Sequence, residues 1–168
     1  MLDAIKNRRS IRFMRKDEIP EHILEDIIHA GFMAPSGHNN KGWHVYYTTD
    51  REKLSELSKM HKWSKFVANA GAAVCVCYDT EELEDFWIED SSAFMENMLI
   101  QATDYGLGSC WIGVRGIEID GIKVEDQVRD ILSCDAKYKI LSLCILGKTA
   151  KSFNFTKEIN LKERIHRV

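Results

Sequence analysis

The chain has 168 residues, 45% hydrophobic and 29% charged, with a formal net charge of -3. That length suits a single domain, and that composition excludes the disordered, collagen-like and disulfide-stapled classes. No apolar run approaches the roughly 20 residues of a bilayer span, and the opening MLDAIKNRRS lacks the apolar core of a secretory signal, so the sequence predicts a cytoplasmic protein with no membrane partner.

Residues 2–7 read as a short helix that runs into a basic stretch, NRRSIRFMRK. Pro20 then opens EHILEDIIHAGF, where Ile23, Leu24, Ile27 and Ile28 recur at helical spacing, with Gly31 near the expected stop. His22 and His29 lie about on one face of that helix among acidic neighbours and read as surface residues. WHVYYTT alternates aromatic and β-branched residues as a strand does, and Asp50 after it can cap the next helix with its carboxylate. AGAAVCVCYD is apolar on both faces, which predicts a central strand covered on each side.

The block EELEDFWIED, residues 81–90, holds six carboxylates and reads as a solvated helix start, where acids suit the positive end of the helix dipole. Phe86 and Trp87 within it either form a lid or pack on the helix that follows. From Asp85 to about Tyr105 there is no Gly or Pro, and Ile88, Ser92, Met95, Leu99 and Ala102 fall near one face. A helix so apolar or small around its girth must be buried on more than one side, in the core or against another subunit. CWIGV then reads as a strand, KVEDQVRDIL as a helix, and KYKILSLCILG as a strand ending at Gly147. The chain is thus one domain, 1–168, with a tail from about 148 that crosses the surface or embraces a partner.

Five cysteines, Cys75, Cys77, Cys110, Cys134 and Cys144, form no C-x-x-C pair and are odd in number, so neither a disulfide framework nor a metal site is indicated. Period two puts Cys75 and Cys77 on one face of their strand, where they read as small buried hydrophobes.

Three segments carry chemistry. Residues 1–16 have a net charge of +5, which leaves -8 for the rest of the chain. The stretch is open to three readings: a nucleic-acid patch, a solvated helix end drawn to the negative pole of its own dipole, or a cofactor phosphate site built from arginine forks and the Ser10 hydroxyl. A nucleic-acid patch wants further basic surface and a reading element, whereas the rest of the chain is acidic and holds no recognisable binding module. Residues 30–47, AGFMAPSGHNNKGWHVYY, hold a polar loop between helix and strand that is a natural ligand lip. Residues 105–113, YGLGSCWIG, place glycines between a helix and a strand, the reverse of a dinucleotide fingerprint, so they would let backbone approach something flat. Trp63 is a further candidate for a cleft.

Together, RRSIR at 8–12, APSGHNNKGW at 34–43 and GLGSCWIG at 106–113 resemble the FMN-dependent nitroreductase family along nearly the whole chain, in a compact form without large insertions. The resemblance implies an α+β three-layer fold, a central mostly antiparallel sheet flanked by helices, and a homodimer with FMN in two interface clefts. By carry-over, Arg8 and Ser10 would bind the phosphate and ribityl chain with Arg9 beside them, and Arg12 would approach the pyrimidine edge of the flavin. Pro35, Ser36, Gly37 and Asn39 would reach it from the other subunit, Ile112 and Gly113 would line the ring, and Lys157 is the candidate for a C-terminal phosphate contact.

Lys41-Gly42 departs from the family's Gln-Pro in that loop, and Glu158 stands near where the family often has Arg. The implied activity is a ping-pong cycle: NADH or NADPH gives hydride to flavin N5 and leaves, and a small-molecule acceptor such as a nitroaromatic or quinone takes its place. No side chain is then required as a catalytic nucleophile, acid or base. A flavin reductase of the same superfamily, or a non-catalytic FMN sensor or storage protein, are the alternatives.

Overall fold

The computed structural model describes residues 1–81, 85–150, 160 and 163–168. In chain order they form α1 (Asp3–Asn7), α2 (Glu21–Phe32), β1 (Trp43–Thr48), α3 (Arg51–Leu57), β2 (Ala72–Tyr78), α4 (Trp87–Asp104), β3 (Gly108–Gly113), β4 (Glu118–Ile119), β5 (Ile122–Lys123), α5 (Val124–Leu132) and β6 (Lys139–Gly147). The main sheet has the order β1-β2-β6-β3, and every pairing in it is antiparallel.

β2 is buried along its whole length, as its two-sided apolar pattern predicts. Its alternating side chains feed two separate cores. Ala73, Cys75 and Cys77 join Leu54 and Leu57 of α3 and Val124, Val128 and Leu132 of α5 on one face. Ala72, Val74, Val76 and Tyr78 join Leu24 and Ile27 of α2 and Phe94, Met95, Met98 and Leu99 of α4 on the other. A helix layer, a sheet and a second helix layer result. An irregularity between Val76 and Cys77 shifts the register against β6, so that Val76 faces Ser142 and Cys77 faces Ile140.

Local signals explain most element ends. The Asp50 carboxylate accepts from the amides of Glu52 and Lys53 at 2.8 and 2.9 Å and so caps α3 as expected. α4 stops where Gly106 turns left-handed (φ 70°): the Gly106 amide donates to the Thr103 carbonyl and the Leu107 amide to that of Ala102. The β4/β5 hairpin was not foreseen, although Asp120-Gly121, both at positive φ, is the dipeptide such two-residue turns favour.

Two glycines serve packing, one of them, Gly31, close to the helix stop as expected. Gly31 lies inside α2, and a Cβ there would sit 2.3 Å from the Phe94 ring. It lets α2 and α4 approach, and Phe94 cannot yield because it is fully buried against Phe32 and Trp43. Gly108 leaves room for Ile11 and Thr149 of this same chain, which a Cβ would meet at 2.9 and 3.0 Å, so its space is not reserved for a flat ligand.

Gly31→Ala opposes two effects. Helix propensity favours alanine by up to about 1 kcal/mol, whereas overpacking a rigid core costs about 1–3 kcal/mol. The clash should win, lowering stability by roughly 1–2 kcal/mol in urea unfolding; an unchanged or higher midpoint would show that Phe94 can move aside.

Candidate functional site

The basic stretch leaves α1 and runs along β3. Ser10 bridges Ser109 in parallel fashion, and the Ile11 amide donates to the Ser109 carbonyl at 2.8 Å. RRSIR and GLGSCWIG are thereby joined. Beyond it the Arg15 amide donates to the Lys148 carbonyl, and that of Ala150 donates to the Phe13 carbonyl.

Its arginines divide the work. Arg9 donates through Nη1 to the carbonyls of Lys6 and Arg8 at 2.8 and 2.7 Å, fastening the end of α1. Here a cation does meet the carbonyl-rich end of its own helix. Arg8 pairs through Nε with Oε1 of Glu96 on α4 at 3.2 Å, which leaves its other guanidinium N–H groups for a further acceptor. Arg12 has no carboxylate partner among the described residues, and it lines a cleft of about 200 Å³ with Trp63, Phe66, Ile112, Gly113 and Ile117. Gly113 is exposed at the lip, where a Cβ would meet only Ile117, at 3.7 Å. A cation beside aromatic and aliphatic walls fits an electron-rich planar ligand.

Two further groups shape this cleft. Burial pushes the Cys110 thiol up, while the Arg12 charge and a hydrogen bond with Ser10 pull the other way. His61, which the sequence reading did not nominate, is buried at the cleft beside the Trp63 ring, 5.5 Å between centroids. Burial pushes His61 down and outweighs hydrogen bonds to its own backbone and to that of Gly113, which favours a neutral ring. Its neighbour Trp63 was the signal that could have led to it.

Pro35, Ser36, Gly37 and Asn39 lie elsewhere, before β1. Gly37–Asn39 make a tight turn in which His38, Asn39 and also Lys41 take positive φ, between 50° and 58°. Three such residues need outside support. The Ser36 hydroxyl accepts from the Lys41 amide at 3.1 Å, and the Gly37 amide donates to Oδ1 of Asp90 at 2.9 Å. The other Asp90 oxygen accepts from the Tyr78 hydroxyl at 2.6 Å, and Tyr78 in turn accepts from Asn40. Both Asp90 and the carboxylate's anchor Tyr78 are buried. The solvated-block reading of residues 81–90 is therefore wrong at Asp90, whose charge is spent on the loop and on the first turn of α4.

Phe86 packs on Gly37, and Trp87 packs against the α2/α4 core with Arg115 and Lys139 over its ring, 6.0 and 5.6 Å from the centroid. Neither ring lines the Arg12 cleft of its own chain. Residues 82–84 and Lys157 lie outside the described residues. His22 and His29 are exposed, as read. No helix among the described residues is long and apolar enough to cross a membrane.

The chain matches the model of the nitroreductase family over residues 5–77 and 58–148. An Archaeoglobus fulgidus protein, named by inference as an NADH dehydrogenase/NAD(P)H nitroreductase, is 34% identical over 171 residues, covering 99% of this chain and 96% of that one. Among solved structures, an FMN-dependent nitroreductase from Clostridium difficile superposes with a TM-score of 0.91 at 31% identity, covering 99% and 98% of the two chains. A nitroreductase with bound FMN from Bacteroides fragilis gives 0.80 at 25% identity over 99% and 97%. The three motifs, the three-layer fold and these relatives agree, and the chain belongs to the nitroreductase family of FMN-dependent oxidoreductases.

Proposed function

We propose that two copies of this chain form a homodimer with one FMN in each of two shared clefts, and that the enzyme carries electrons from NADH or NADPH to a nitroaromatic, quinone or related electrophile. The supporting observation is that the two flavin-binding motifs flank opposite edges of one sheet. RRSIR lies along β3, and the loop of Pro35–Asn39 leads into β1, three strand spacings away, roughly 14 Å. The cleft beside Arg12 is lined by none of residues 35–39. A second copy related by a two-fold axis supplies that loop and completes the cleft. Leu2, Ile5 and Phe13, exposed around the basic stretch, are apolar surface that such a partner would cover.

The donor set fits the cofactor. Arg8 and Ser10, with Arg9 bracing the turn, hold phosphate and ribityl oxygens; Ile112 and Gly113 bed the ring; Arg12 faces its pyrimidine edge. Bound FMN supplies hydride and electron chemistry that no side chain here can perform. The residues bind and orient it, and the Arg12 charge in a low-dielectric cleft favours the more negative, reduced form. The described cleft offers apolar walls and one cation to an oxidant, which suits flat electrophiles.

Three outcomes test this reading. Arg8→Ala should weaken FMN binding about 10- to 100-fold, the worth of a charge-assisted hydrogen bond or two, by fluorescence titration; unaltered affinity rejects the phosphate role. Arg12→Ala should lower the flavin potential by tens of millivolts, since 30 mV corresponds to about 1.4 kcal/mol for two electrons; an unchanged potential removes Arg12 from that role. Finally, an Arg8→Ala/Arg12→Ala chain and an Asn39→Ala chain, each poor in FMN, are dissociated and mixed. Random pairing should restore roughly a quarter of wild-type FMN capacity, because half the pairs are mixed and each has one site free of all substitutions. No recovery would mean that each site belongs to a single chain.

A further inference from the structure

Cys75, Cys77 and Cys134 carry an arrangement that the flavin site does not use. Their sulfur atoms all lie within 4.8 Å of one another, Cys75 and Cys77 at 3.7 Å, and all three are buried free thiols. Two come from one face of β2, and the third comes from the turn after α5.

That turn is tightly fixed. Ser133 takes a left-handed conformation (φ 56°), and the Cys134 amide donates to the Arg129 carbonyl at 3.0 Å. The Arg129 guanidinium returns to the Asp135 carbonyl at 2.6 Å, and the Asp135 amide donates to the Tyr46 hydroxyl. Two cations stand near Cys134: Lys53 of α3, and Arg129, which also pairs with Oε1 of Glu125 at 3.0 Å.

We propose that Cys75, Cys77 and Cys134 form a trigonal three-thiolate site for one soft monovalent d10 cation, Cu(I). Metal–sulfur bonds of about 2.3 Å arranged trigonally put sulfurs about 4 Å apart, so the present spacing needs little adjustment. Soft thiolates select Cu(I) and zinc over harder ions, but zinc wants a fourth ligand. Among the described residues no His, Asp or Glu joins the trio. His44, opposite Cys77 in the strand pairing, is instead stacked on the Tyr138 ring at 4.0 Å. Binding replaces the three thiol protons with one Cu(I), releases all three to solvent and involves no change of oxidation state. The complex carries a charge of -2, which Lys53 partly offsets. Cys134, at the rim of the cluster, provides the entry point.

The test is anaerobic competition for Cu(I) between bicinchoninate and the full-length, FMN-loaded protein, followed by sulfur counting with X-ray absorption. The expected result is one Cu(I) withdrawn per chain and three sulfurs around it. Cys134→Ser should weaken retention at least about tenfold, as loss of a ligand does. Cys144→Ala, at a buried cysteine in the opposite core, should leave retention unchanged. No Cu(I) withdrawn, a sulfur count other than three, or equal retention by Cys134→Ser would overturn the proposal. The sulfur count on the unaltered chain decides the matter if Cys134→Ser does not fold, and FMN content measured in parallel separates this result from failure of the flavin reading.

Discussion

The withdrawal of β2 from water on both faces is the constraint on which the rest depends. An isolated strand with this sequence has two apolar surfaces and nothing to cover them. Pairing with β1 and β6 satisfies its backbone, and α2 with α4 on one side and α3 with α5 on the other exclude water from its side chains. Burying each valine of such a strand contributes about 1.5–3 kcal/mol, far more than any single surface ion pair here can. The strand's last residue then reaches the site. Tyr78 belongs to the α2/α4 core by its ring and to the Asp90 network by its hydroxyl, so the stability of the core is transmitted to the loop of Pro35–Asn39.

That transmission explains how a loop with three non-glycine residues at positive φ can hold one shape. Each such residue is disfavoured locally, and several together persist only when their surroundings over-determine them. Asp90 does so from inside the protein. Its two oxygens are taken by a backbone amide and a phenol, both fixed by neighbouring elements, so the carboxylate sits buried with its hydrogen bonds made. The substitution of Lys41-Gly42 for the family's Gln-Pro fits this account. The rigidity a proline would supply comes instead from Ser36, Asp90 and the close contact of Gly37 with Phe86.

The elements were legible where periodicity is strong and local. α2, α5, β2 and β6 follow from apolar spacing, and the Asp50 cap follows from residue type and place. The β4/β5 hairpin was missed because two-residue strands have no period to detect, leaving Asp120-Gly121 as the sole cue. Glycine was the least readable residue. The same absence of a Cβ serves a helix stop at Gly106, helix approach at Gly31 and the seat of Ile11 at Gly108, and only the partner across the gap distinguishes them. Asp90 could not be separated from the five other acids of its block, since burial is decided by what α4 packs on. The resemblance named the three motifs, but it could not reveal that Glu96 and the α1 carbonyls already engage two of the arginines.

The cysteines extend that lesson to chemistry. Cys75 and Cys77 have the spacing of a strand face, which is equally the spacing of filler in a core, and nothing near Cys134 in the chain marks it as their partner. The meeting is made by α5, whose strongly one-sided apolar face docks Val128 and Leu132 on the sheet and delivers the following turn over β2. Any α5 that packs this way brings some residue to that spot. What is particular to this chain is that the delivered residue is a thiol, with Arg129 one helical turn behind it and Lys53 on the facing helix. Hydrophobic packing alone would be served as well by alanine or valine and does not require three sulfurs to converge. Three sulfurs within 4.8 Å of one another match the spacing of a trigonal thiolate site, so the convergence rather than the burial of the cluster points to a ligand.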